Sequence, residues 1–301
     1  MKLLLFGALL FLQTCQPSKS SPQALPSGSA LGDLREDITQ GKDVFLENQT
    51  IDDPLDFTSL LPAHTSVPGA QIATAEGALT FVKCHFKGKV LGFVAGQNGN
   101  SKTVAFQKNI TFIECTFDEE VSFRGCTVQE LACFTGSTFV KKANFESADF
   151  SNDALFNECK FFSDTRFQNI YCRKKANFLH TEFGKTVSFQ GAIFTLDAQF
   201  GDVKSYGFTD FSTAQFNGHA FFNYAEWHGQ TSFEDAWFKG RCEFLQGKFV
   251  TATMKKAWFL GKPRFEDANI DISLDLAACH WGAGAPVWTE GQKVKIVNFD
   301  N

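Results

Sequence analysis

The chain has 301 residues, a net charge of −5 and 36 Phe against two Met and three Tyr. That length allows one large domain or two ordinary ones. The mild acidity argues against a non-specific nucleic-acid binder, which needs a basic face, and falls well short of the charge density of a duplex mimic.

The first segment reads as a targeting signal. Lys2 supplies a positive start, Leu3 to Leu12 an apolar stretch, and Cys15 follows at once. Ten apolar residues are too few to cross a bilayer as a helix, so a cleaved signal fits better. Leu12-Gln13-Thr14-Cys15 resembles the lipobox of bacterial lipoproteins, in which the Cys is lipidated and becomes the mature N-terminus. Thr14 stands where that pattern carries Gly, Ala or Ser, and the alternative is cleavage elsewhere by an ordinary signal peptidase. Residues 1–14 are then the signal, and 15–30 a lipid anchor with a Ser/Pro/Gly-rich tether that cannot bury enough surface to fold.

Residues 31–103 read as an N-terminal cap and opening coils. Leu31 to Gly41 suits a short helix, with Asp33 as N-cap and Gly41 past its end. Strand-like pieces follow around Val44–Leu46 and Ile51–Phe57, then a Pro- and Ala-containing loop over 60–77. Thr80 to Phe86 is the first repeat-like piece, and Gly92 to Lys102 a turn-rich excursion.

From Val104 to Trp281 the chain keeps a beat. Large residues stand at Phe106, Phe112, Phe117, Phe123, Val128, Phe134 and onward, in steps of six and five, twenty-two residues per four sites. One residue is missing between Phe249 and Met254. Two positions before each large residue stands a small or β-branched one, such as Cys115, Val121, Cys126 and Ala132. The triplet small–polar–large has the period of a very short strand with two inward residues. No helix sustains a five-to-six beat, so the segment is a solenoid of extended pieces and turns, about eight coils long.

Residues twenty-two apart then stack into four inward columns, with like rings about 4.8 Å apart. Ala143-Asn144-Phe145, Ala148-Asp149-Phe150 and Ala176-Asn177-Phe178 resemble the repeat of the pentapeptide-repeat family, A-(N/D)-(L/F)-x-x. Every second unit here has six residues instead of five, and Phe replaces the commoner Leu. The resemblance implies an all-β fold, a right-handed quadrilateral parallel β-helix. Residues 282–301, with Val287-Trp288 and Lys293–Val297, read as a C-terminal cap.

The composition of the repeat leaves little for catalysis. Seven of the eight cysteines after Cys15 fall on inward positions and read as buried free thiols; Cys115 and Cys159, two coils apart, are too distant for a disulfide. The six histidines show no metal-ligand or triad spacing, and no outward column gathers carboxylates as a polysaccharide-processing β-helix requires. No catalytic residue, metal or cofactor is expected.

One outward column differs. Ile193, Gln215, Trp237, Trp258 and His280 share a face, with Phe221 on the next. Two neighbouring indoles form a candidate platform for a protein or glycan, unless the segment around Trp288 covers them. The expected function is a non-catalytic scaffold, membrane-attached through lipid at Cys15, on the periplasmic or surface side of a bacterial outer membrane. Its partner is an unknown protein or glycan and not nucleic acid. A DNA-mimicking inhibitor, a role the resemblance also suggests, and a glycan-binding or -processing β-helix are the alternatives.

Overall fold

A computed structural model describes residues 31–96, 99–290 and 296–297. The expected signal, Cys15 and the tether lie outside the described residues, as does most of the segment after Glu290.

The five-to-six beat folds as a four-sided parallel β-helix. Two-residue strands stack coil on coil, joined by parallel ladders. The first face runs from Val44–Glu47 through Leu79–Val82, Ile110–Ile113 and Ala132–Cys133 to Cys242–Glu243, with Arg264 and Val287 bridging onward. The second pairs Phe117 with Phe139 and ends at Phe249 and Ile270. The third pairs Val121 with Ala143, and the fourth aligns Phe106, Val128, Phe150 and Cys172.

Aromatic packing dominates the interior. Phe134, Phe156, Phe178 and Phe200 stack with ring centroids 4.9–5.1 Å apart. Rings on the third face meet them edge-on, as Phe167 meets Phe156 at 5.0 Å and 78°. Burying each Phe contributes about 1.5–3 kcal/mol, and each ring pair about 0.5–1.5 kcal/mol more. Small inward residues fill the corners and satisfy their polar atoms backwards along the rod. Ser137 Oγ donates to Phe112 O, Cys159 Sγ to Phe134 O and Thr181 Oγ1 to Phe156 O.

The alternation of five and six has a local cause. The two five-residue corners of each coil are tight turns with one residue in the left-handed region. Gly136 has φ 68° and Ser137 N donates to Phe134 O at 3.1 Å. Most equivalent corners hold other residues, including Glu158, His180, Thr213 and Tyr224. The six-residue corners reach the next face without such a residue.

The missing residue is absorbed at one such corner. Trp227 pairs with Phe249 and Phe249 with Ile270, and the register shifts on both sides of Val250. The ladder beyond is intact, so Trp237 pairs with Trp258 although they are only 21 residues apart. A second irregularity is inward. Ser205 occupies a large site and bonds to Thr209 at 2.7 Å. The next coil carries buried Trp227 and Thr231 above that pair.

The N-terminal part departs from expectation in four places. The helix runs Leu31–Thr39, so Asp33 lies in its first turn instead of capping it, while Gly41 ends it with φ 70°. Phe57 lies in a helical turn, Phe57–Leu60, because Asp56 accepts from Thr58 N and Ser59 N; its ring closes edge-on over Phe106 at 5.4 Å. The stretch expected as a loop forms an antiparallel hairpin, Ala63–Val67 with Ala70–Ala75, whose second strand joins the fourth face. The turn-rich excursion likewise pairs Phe93–Ala95 with Ser101–Thr103. Small, polar residues mask these strands in the sequence; the stacked edge of the first regular coil supplies the partner that makes them strands.

Candidate functional site: an aromatic ladder on the fourth face

On the fourth face, the residue before each large one points outward. Backbone ladder bonds place these residues one above another: Trp237 N donates to Ala214 O, Trp258 N to Ala236 O and His280 N to Ala257 O, at 2.8–2.9 Å. Their side chains stack outside the rod. Trp237 and Trp258 lie 5.1 Å apart at 21°, and Trp258 and His280 3.9 Å apart at 27°. Trp237 is 40% exposed and Trp258 38%.

This arrangement brings three of the four expected platform residues together. Phe221 stands apart on the first face, paired with Gln199 and Glu243, with His219 6.0 Å from its ring. The expected cover does not form among the described residues. Trp288 stacks on Phe265 at 4.7 Å because Val287 continues the first-face ladder from Arg264. Leu260, two residues past Trp258 and 50% exposed, adds apolar surface beside the ladder.

The chemistry of the ladder follows from its stacking. Sugar-binding platforms offer an indole face, but here the Trp258 faces lie against Trp237 and His280. Both faces of Trp258 are thereby occupied, and the exposed Leu260 side chain adds to the apolar surface. Such a surface suits apolar protein groups better than the flat face of a pyranose ring.

Around the corner lies a polar cluster that stands apart from the outward column singled out in the sequence. Glu243 is 4% exposed although it faces out of the first face. It accepts from Arg264 Nη1 at 3.0 Å and Asn223 Nδ2 at 3.0 Å, and pairs with Arg241. Arg264 also holds Glu266 at 2.8 Å. Continuing the column Gln199, Phe221, Glu243 and subtracting the missing residue places Arg264 above Glu243, so the signal was present in the spacing.

A second exposed set, Phe162, Tyr206 and Phe208, follows the corner between the second and third faces. Gly184 interrupts it: a Cβ there would stand 3.2 Å from Phe161 O.

Nothing among the described residues assembles a metal site, and no helix there is long and apolar enough to cross a membrane. Asp149, an outward carboxylate, is held bidentately by Arg173 at 2.7 and 2.9 Å. The eight described cysteines are buried free thiols. Burial pushes Cys126 and Cys279 up to about 12 and removes their nucleophilicity at neutral pH. Cys133, on an outward position, is buried as well and lies 3.3 Å from Thr135 Oγ1.

No protein-family model matches the chain, and no curated protein matches it. Among solved structures, that of HetL, a pentapeptide repeat protein involved in heterocyst differentiation regulation from the cyanobacterium Nostoc, is similar at 10% identity. The similarity covers 86% of this chain and 97% of that one, with a TM-score of 0.23. The architecture stands on the strand register above: a nearly all-β solenoid of parallel stacked coils.

Proposed function

We propose that the chain is a non-catalytic scaffold of the pentapeptide-repeat kind, exported and held by lipid at Cys15 to a bacterial outer membrane, that presents the Trp237–Trp258–His280 ladder to a protein partner. The observation that carries this reading is the ladder itself: three rings stacked outside the rod, half-exposed, with Leu260 beside them. A solenoid uses its inward residues for its own core, so what remains for function is its outer skin. The Trp and His rings together with an exposed Leu form the aromatic centre and apolar border that protein interfaces favour.

Affinity capture from envelope fractions tests the partner. The chain carrying Trp237→Ala and Trp258→Ala together is expected to lose a protein that the parent retains, with an unchanged circular dichroism spectrum. Equal capture by both chains would remove the ladder from the proposal. The anchor is tested separately with a clickable palmitate: labelling is expected in the parent and absent in Cys15→Ala, and an unlabelled parent would remove the lipid.

A further inference from the structure

The cysteine column at the N-terminal end of the rod contains a pair that residue counting does not reveal. Cys84 and Cys115 are 31 residues apart in sequence, whereas successive residues of this column further on, such as Cys115 and Ser137, are 22 apart. The excursion through 93–103 adds the difference and leaves the ladder in step. His85 pairs with Thr116 and Phe86 with Phe117, so the preceding residues, Cys84 and Cys115, occupy neighbouring coils. Thr116 N donates to Cys84 O at 2.9 Å, locking the two strands together at that point.

Both side chains point inward and each residue is 1% exposed. Each thiol also follows the column's habit of donating back along the rod, Cys84 Sγ to Leu46 O and Cys115 Sγ to Phe81 O. Neighbouring strands hold their Cα atoms about 4.8 Å apart, inside the 4.4–6.8 Å span that a disulfide accepts. No other pair of described cysteines shares a column in adjacent coils: Cys159 is two coils from Cys115, and Cys126, Cys133, Cys172, Cys242 and Cys279 have no cysteine in the ladder position above or below.

We propose that Cys84 and Cys115 are a disulfide-forming pair that staples the second coil to the third when the protein meets a disulfide oxidant such as glutathione disulfide. The step is an exchange. The Cys84 thiolate attacks one sulfur of the oxidant and expels a glutathione thiolate, leaving a mixed disulfide. Cys115, deprotonated, then attacks the Cys84 sulfur and expels the second glutathione. Two protein thiols are oxidised, one glutathione disulfide is reduced to two glutathiones, and the two thiol protons end on those products. The order follows the acidities of the two thiols: the Cys115 thiol beside it holds Cys84 below its ordinary value, while Cys84 and burial push Cys115 up. Because both are buried, exchange takes place while the opening coils close or during their local opening, which the hairpin and excursion around them favour.

The site covalently fixes the end of the rod where the coils are longest and least regular. It is independent of the lipid anchor, so it stands or falls apart from the proposed function.

The test equilibrates the purified full-length chain, made without lipid and carrying nine cysteines, in glutathione buffers from reducing to oxidising poise. The sample is unfolded in acid, alkylated and weighed. The expected result is two fewer alkyl groups at oxidising poise and a linked peptide pair containing Cys84 and Cys115. The loss should vanish in Cys84→Ser and persist in Cys133→Ser. The measurement on the parent chain needs no variant to fold. Nine alkylated cysteines at every poise, or a link between any other pair, would overturn the proposal.

Discussion

The middle coils, Phe134 to Phe200, and the later coils, Ser205 to Trp281, are built on one register but differ in what they tolerate. In the middle coils most large sites hold Phe, rings stack within about 5 Å, and the outward residues change type freely from coil to coil. The later coils hold the departures: Ser205 under Trp227, the residue missing at Val250, the buried Glu243, and the stacked indoles outside. A solenoid is stabilised by each coil's contacts with its neighbours, so a local departure is tolerated provided the next coil compensates. Regularity marks the part that holds the rod together, and compensated irregularity marks where specific surface was built.

That contrast can be broken most sharply in the middle. Phe156→Ala removes a ring in contact with Phe134, Phe145, Phe167 and Phe178, and its neighbours cannot collapse without leaving their own stacks. A loss of about 3–5 kcal/mol is expected, read as a lower urea midpoint, with the transition divided if the rod separates into two stacks. A loss below about 1 kcal/mol would mean the middle coils repack as readily as the later ones.

Glu243→Gln takes the shared partner from Arg264 and Arg241. Both arginines keep access to water, which reduces the penalty to roughly 2 kcal/mol. The urea midpoint should fall accordingly, and a neutral outcome would make the cluster decorative.

The Ser205–Trp227 pair tests compensation directly. Ser205→Phe alone overpacks the column and Trp227→Phe alone leaves it underfilled, each at about 1–2 kcal/mol. The double variant restores the Phe ladder of the middle coils and should return to within about 1 kcal/mol of the parent. Additive losses would show that the two sites do not share space.

The smallest effect belongs to the corners. Thr213 holds φ 57°, and a β-branched residue is poorly suited to that region. Thr213→Gly is expected to raise stability by up to about 1 kcal/mol, the relief of strain exceeding the added freedom of the unfolded chain. A lower midpoint would show that the hydroxyl bond to Ser212 O matters more.

Much of the fold was legible because a solenoid turns sequence spacing into position. Columns read at twenty-two residues match the ladder pairing from Phe106 to Trp281, and the residue missing from the spacing falls where the register shifts. The ladder Trp237, Trp258, His280 followed from the same count. Three things were not legible. The hairpin of Ala63–Ala75 has no apolar alternation strong enough to announce it, and becomes a strand pair only against Ser101–Phe106. The Cys84–Cys115 neighbourhood was hidden by an excursion that adds residues without adding a coil. The stacking of the indoles on one another, which occupies both faces of Trp258, depends on side-chain rotation.

The sequence by itself therefore determined the architecture and the inward column at most positions, because period-two alternation and a constant coil length leave one register that buries every Phe. Tertiary structure alone decided which outward residues stay exposed, which thiols are neighbours and where the last Trp packs. Those outcomes depend on what the next coil and the chain ends place alongside, and no spacing within a single coil encodes them.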